Sequence, residues 1–294
     1  MTSGATGVVS LLASRPALDP EAILAKAATE NFPVALFVLP ARLRERLSTI
    51  YLYARTVDDL GDLFEGDRDA ALDWAESEIT SAFGGAPAHP VLSRVAAMAL
   101  ELHAPLQLFV DLIEANRLDQ RKVRYTSFGE LEDYCALSAN PVGRLVLFAF
   151  GRSDVLAARY SDRICTALQI VEHLQDVAED YRSGRVYLPG EDLASFGVDE
   201  DSLGATEASS ALRRLVAFES ARARRLLEEG EPLVRLLPGR QRLAIAGFIG
   251  GGLAQIDAIA AADYDVLAGL AKARKSDVAA RSLGVLRTGA RRPR

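Results

Sequence analysis

Cysteine is scarce, two residues in 294. Cys135 and Cys165 both lie in apolar helical patterns, so they read as reduced core thiols rather than a disulfide or a thiolate metal site, and a cytoplasmic compartment is expected. A basic excess is missing as well: 34 Lys and Arg against 40 Asp and Glu leave a net charge of −6. That balance argues against nucleic-acid binding, which calls for a cationic footprint. No run reaches the roughly 18–20 apolar residues that span a bilayer. The nearest stretch, 243–256, is uncharged but short and interrupted by glycines. No early cluster of Lys or Arg precedes residues 8–13, so no secretory signal is expected there. Proline is sparse, and neither a strand-and-turn rhythm nor a short fixed repeat is visible, which sets aside sheet folds and solenoids.

What remains is a chain with 49% hydrophobic residues, long enough for a large core and patterned for an all-α domain. Residues 1–18 are rich in Gly, Ser, Thr and Ala and are expected to lack fixed structure. A short helix is expected from Asp19 as N-cap with Pro20 at its first position. The stretch 31–40 is apolar, bounded by prolines, and too short for an ordinary helix. Helices are then expected at about 41–63, 67–83, 88–102, 105–117, 127–151 with a break at Asn140-Pro141, 153–181, 208–230 and 239–269. The domain reads as 19–274. The last twenty residues, with Arg281, Arg287, Arg291, Arg292 and Arg294, read as a basic, solvated tail; weak attraction to anionic lipid is the alternative.

The most informative stretch is ALQIVEHLQDVAEDYRSGRVYLP, 167–189. Leu168, Ile170, Val171, Leu174 and Val177 recur at helical spacing, which places Glu172, Asp176 and Asp180 on one stripe with Glu179 beside them. Like charges one turn apart repel, by roughly 0.2–0.5 kcal/mol per pair in an isolated helix. Either water or a cation must offset this. A second acidic row lies upstream in YLYARTVDDLGD, where Asp58 and Asp62 are four apart and Asp59 adjoins them. Two carboxylate rows on apolar helices can hold hard divalent cations, Mg²⁺ with Mn²⁺ as an alternative, through oxygen ligands. The expected metal ligands are Asp58, Asp59, Asp62, Glu172, Asp176 and Asp180.

DDLGD at 58–62 and DVAED at 176–180, the latter followed by YRSGRVYLP, resemble the paired aspartate motifs of the squalene/phytoene synthase family. The segment YCALSANPVGRLVL at 134–147 is similar to a third landmark of that family, in a form most like its hydroxysqualene-forming members in hopanoid synthesis. The likeness covers about residues 25–268. It implies a single-domain helical bundle of the isoprenoid synthase type with a central active-site cavity. It implies Mg²⁺-assisted loss of diphosphate, with presqualene diphosphate as substrate, rearrangement of the cation and capture by water, and no NADPH. The runner-up is head-to-head condensation of two prenyl diphosphates to presqualene diphosphate, squalene, dehydrosqualene or phytoene. A non-catalytic helical partner of isoprenoid enzymes is the alternative of another class. Peripheral contact with the inner face of a membrane and association with other hopanoid-pathway enzymes are compatible with this reading.

The resemblance assigns Asp58, Asp62, Asp176, Asp180 and Tyr134 to catalysis. It puts Arg55, Arg185 and Tyr134 on the diphosphate, and Phe32 in the wall of the site. For Arg55 the alternative is an ion pair to its own helix's aspartates; for Tyr134 and Phe32 it is the core. Asn140 and Gln169 could orient water or diphosphate, or satisfy buried backbone. Two residues depart from the family pattern: Glu172 stands where asparagine is common, and Gln175 where arginine is frequent. Both make the site more anionic. His173 reads as a helix-surface or core-edge group, since no serine or cysteine nucleophile is placed with it. The glycines of 247–252 do not match GxGxxG and read as close helix packing or room for a prenyl tail.

Overall fold

The computed structural model describes residues 38–86, 88–269 and 272–288. The expectations for residues 1–37, including Phe32 and the helix at Asp19, lie outside the described residues. Among those described, the chain is helix and turn, with one isolated parallel bridge between Arg124 and Val186 and no strand. It divides into two compact units, Met1–Arg121 with Pro141–Ser153, and Lys122–Asn140 with Asp154–Arg294.

The first unit contains α1 (Ala41–Asp62), α2 (Arg68–Phe83), α3 (Pro90–Leu102), α4 (Gln107–Asp119) and most of α6 (Asn140–Ala149). Along α1, Leu47, Ile50, Tyr53, Val57 and Leu60 recur at three- and four-residue spacing and are buried. Tyr53 fixes the pairing with α4, because its hydroxyl donates to the Phe109 carbonyl at 2.8 Å and its ring meets the Phe109 ring edge-on at 5.0 Å. Arg117 of α4 bonds Asp73 and Glu76 of α2 at 2.6 and 2.7 Å, which ties those two helices. Asp67 caps α2 by accepting from the Ala70 amide.

The second unit contains α5 (Phe128–Ser138), α7 (Val155–Arg182), α8 (Gly190–Phe196), a 3₁₀ turn (Glu200–Gly204), α9 (Ser210–Gly230), the single turn α10 (Leu233–Leu236), α11 (Gly239–Ala261) and α12 (Lys275–Thr288). Helix α7 is the longest of the described helices, at 28 residues. Its Ala167, Ile170, Leu174 and Val177 are buried, as their periodicity requires. It lies along α9, where Gly230 admits the α7 backbone: a Cβ there would meet the Tyr160 carbonyl at 2.8 Å. Arg222 of α9 bonds Asp192 of α8 and the buried Glu219 at 2.8 and 2.5 Å and lies 4.1 Å over the Phe128 ring. The Glu219 carboxyl is pushed up to about 8, first by burial and then by Asp192 against the opposing Arg222. Cys135 is a buried free thiol and Cys165 a partly buried one.

Three features differ from the sequence reading. Helix α11 stops at Ala261, short of 269, because Asp263 and Tyr264 take positive φ and the Asp265 carboxylate accepts the amides of Ala208, Leu267 and Ala268. Over 239–261 this helix is long and apolar enough to span a membrane by composition, with 61% of that window buried inside the protein. The basic tail is not a solvated tail up to Thr288: it forms α12, which packs on α11 through Val285 and Ser282 and is pinned by Arg281 to Asp257 at 2.6 Å. The glycine run serves that packing, Gly250 against Ser282 of α12 and Gly252 against Leu168 and Leu227.

A Cβ on Gly250 would fall 2.6 Å from the Ser282 nitrogen and 2.8 Å from its Cα, backbone atoms that cannot rotate away. Gly250→Val is therefore expected to cost about 1–3 kcal/mol or more of stability, read by urea denaturation. An unchanged midpoint would show that α12 does not pack against this surface.

Candidate active site

The first acidic row is on the last two turns of α1. Asp58 and Asp62 are exposed, whereas Asp59 is buried at 4% exposure. Arg55, one turn earlier, pairs with Asp59 through Nε at 2.9 Å. The alternative for Arg55, an ion pair to its own helix, is thus present, and it fixes the guanidinium one turn from Asp58. Sequence reasoning missed Asn116 of α4. Its amide donates to Asp58 Oδ1 at 3.2 Å and to the Leu112 carbonyl at 3.1 Å. Gly61 makes room for that amide: a Cβ there would lie within 3.0 Å of the Asn116 Cγ. Gln120 donates to the Gly61 carbonyl at 3.1 Å and Arg68 to the Asp62 carbonyl at 2.8 Å, so the end of α1 is held from both sides.

The second row is on α7. Glu172 is exposed, and Asp176 and Asp180 are half-buried. The Asp176 carboxyl is pushed up to about 6, first by burial, then by Glu172, Asp180 and Glu179, with His173 opposing. Asp180 Oδ2 is buried, accepts no hydrogen bond among the described residues and lies 3.7 Å from His173 Nδ1. Gln169, one turn before His173, meets its Nε2 at 3.3 Å. Asn140 is buried at the first position of α6, where its Oδ1 accepts from Thr166 of α7 at 3.2 Å.

Immediately after α7 the chain turns back as a strap, residues 184–189. Gly184 takes φ +82 and the Arg185 amide bonds the Asp180 carbonyl at 2.8 Å, a glycine-terminated helix end that starts the strap from the acidic row itself. Val186 bonds the Val123 carbonyl, Gly190 that of Tyr125, and Arg124 reaches the Gly184 carbonyl at 2.6 Å. The strap thereby delivers Tyr187 onto His173, stacked at 3.8 Å with the planes 11° apart. Tyr125 and Tyr134 close an aromatic cluster, each with its ring 5.6 Å from Tyr187. Tyr134 is buried, as its position on an apolar stripe suggested. Tyr187 was not singled out by sequence, although it lay within the quoted motif, and His173 was read only as a helix-surface or core-edge group.

The donor set fits a hard divalent cation. It is all oxygen, and burial with mutual repulsion already disfavours the charged state of Asp176, the condition a cation relieves. Among the described residues, no three carboxylate, imidazole or thiol groups close on a single point. Each cation would take one or two carboxylates and complete its shell with ligand oxygens or water, the usual arrangement for Mg²⁺.

A family model described as squalene/phytoene synthase matches residues 25–277. A hydroxysqualene synthase of Rhodopseudomonas palustris is 35% identical over 69% of this chain and 70% of its own length. A phytoene synthase of Mycobacterium tuberculosis is 30% identical over 88% of each. Among solved structures, squalene synthase HpnC from Alicyclobacillus acidocaldarius has 41% identity and a TM-score of 0.77, over 84% of this chain and 94% of that one. A dehydrosqualene synthase in complex with ligand has 25% identity and a TM-score of 0.81, over 92% and 94%. These neighbours share the isoprenoid synthase fold, and the helices described above are that fold.

Removing one charge from the crowded row should stabilise the metal-free protein. The folded state holds the Asp176 proton more tightly than the unfolded chain does, so the penalty is absent at low pH and grows as pH rises through about 6. In EDTA, Asp176→Asn is expected to melt higher than wild type at pH 8, with the gap closing towards pH 4. Equal melting at pH 8 would show that the row is solvated rather than strained.

Proposed function

Because the chain belongs to the squalene/phytoene synthase family, we propose that this enzyme converts presqualene diphosphate to hydroxysqualene with the help of Mg²⁺. The observation that carries the choice within the family is the set of hydroxysqualene synthases, from three bacteria, each 35% identical over about two thirds or more of the chain. The NPVGRLVL segment at 140–147 favours the same branch.

In this reading the acidic rows hold the cations that bind the substrate diphosphate. When bound, divalent cations neutralise that group and make it a competent leaving group. Asp58 and Asp62 from one row, and Asp176, Asp180 and Glu172 from the other, supply the oxygens that hold the cations. Arg55, kept in place by Asp59, and Arg185, at the start of the strap, bind diphosphate oxygens through planar donor forks. The bond from carbon to the bridging oxygen breaks with its electron pair leaving on diphosphate. The cyclopropylcarbinyl cation rearranges, water forms the new carbon–oxygen bond, and that water loses one proton. Gln169 and Tyr134 stand beside His173 next to the second row; Asn140 acts through Thr166 by fixing the start of α6. Asn116 orients Asp58.

A second reading, condensation of two prenyl diphosphates, is favoured by the longer alignment to phytoene synthases, 88% of the chain. Incubation with Mg²⁺ and each candidate substrate separates the two. We expect hydroxysqualene from presqualene diphosphate and no product from farnesyl diphosphate alone. A C30 product from farnesyl diphosphate alone would overturn the first reading in favour of the second. Asp58→Asn and Asp176→Asn should each lower turnover by about 10²-fold or more while circular dichroism stays unchanged; full turnover in either would remove that row from the chemistry.

A further inference from the structure

His173 looks like a bystander in the sequence, yet the fold packs it against Gln169, Tyr187 and Asp180 beside the second acidic row. Its ring is held on three sides. Gln169 Nε2 meets its Nε2 at 3.3 Å, Tyr187 covers one face at 3.8 Å, and Nδ1 points to Asp180 Oδ2 at 3.7 Å. The amide nitrogen of Gln169 can only donate, so His173 Nε2 must accept. That bond places the ring's proton on Nδ1, facing Asp180. The Asp180 oxygen it faces is buried and accepts no hydrogen bond among the described residues.

We infer that His173 is a positioning residue: with its tautomer set by Gln169 and its plane set by Tyr187, it orients the Asp180 carboxylate for the cation. This inference rests on the functional reading above and assigns a role to a residue that the reading did not use. Gln169 lies one turn before His173 and Asp180 two turns after it on one face of α7, so a rigid helix transmits the orientation. Tyr187 arrives on the strap that also begins at the Asp180 carbonyl, so strap and carboxylate are set together. Residues that orient a metal ligand typically change metal affinity by about 10–100-fold when replaced.

The test measures binding of inorganic pyrophosphate with Mg²⁺ by calorimetry, alongside the Mg²⁺ concentration for half-maximal turnover and the melting temperature. His173→Phe keeps a ring to stack on Tyr187 but has no N–H for Asp180. It should weaken Mg²⁺–pyrophosphate binding by about tenfold or more and raise the Mg²⁺ requirement, with the melting temperature near wild type. His173→Asn keeps an N–H close to the Nδ1 position and should recover most of that loss. If His173→Phe proves unstable, Gln169→Leu reads the same relay, because it frees the ring to carry its proton on Nε2; binding should again weaken. Wild-type affinity in His173→Phe or in Gln169→Leu overturns the inference. Asp180→Asn separates this from the underlying function: if it loses binding while His173→Phe does not, only the positioning role falls. If Asp180→Asn binds as wild type does, both fall.

Discussion

Negative charge crowded onto one face of a helix that cannot move away is the constraint on which the rest of the site depends. In water, Glu172, Asp176, Glu179 and Asp180 would repel only weakly and separate by fraying. Here Leu174 and Val177 on the opposite face are buried, and α9 packs along the helix, so fraying would expose apolar surface. The fold therefore holds a strained electrostatic arrangement, visible as the raised affinity of Asp176 for its proton. Arrangements of this sort recur where a ligand supplies the missing charge.

The surroundings keep that arrangement ordered. The Gly184 helix end, the amide bonds from Val186 and Gly190 to 123–125, and Arg124 on the Gly184 carbonyl fix the strap. The strap brings Tyr187 to His173, and so the aromatic cluster stands next to the carboxylates. In the first unit the equivalent work is done by hydrogen bonds: Asn116 on Asp58, Arg55 on Asp59, Gln120 and Arg68 on the last carbonyls of α1. Asn116 thus orients Asp58 and Arg55 holds Asp59 in the first row, and in the second His173 faces Asp180.

Much of this was legible from periodicity. The two rows, their helices, and the break at Asn140-Pro141 follow from apolar spacing and from proline, which are local signals. The supports were not legible, because they join residues distant in sequence. Asn116 meets Asp58 from 58 residues away, and nothing in its own neighbourhood marks it. His173 gains its meaning only when Tyr187 folds back over it. The tail was misread as solvated because its charges outweigh Val278, Val285 and Leu286 in composition, while the pairing of Ser282 with Gly250 that docks it depends on shape. The apolar length of α11 was underestimated because its glycines look like interruptions; in the structure they are the points of close approach.

The central claim is that each acidic row binds diphosphate through divalent cations. Mg²⁺–pyrophosphate affinity measured by calorimetry for Asp58→Asn and Asp176→Asn tests it most directly. Each substitution is expected to weaken binding by about tenfold or more. Undiminished binding in either variant would contradict the account.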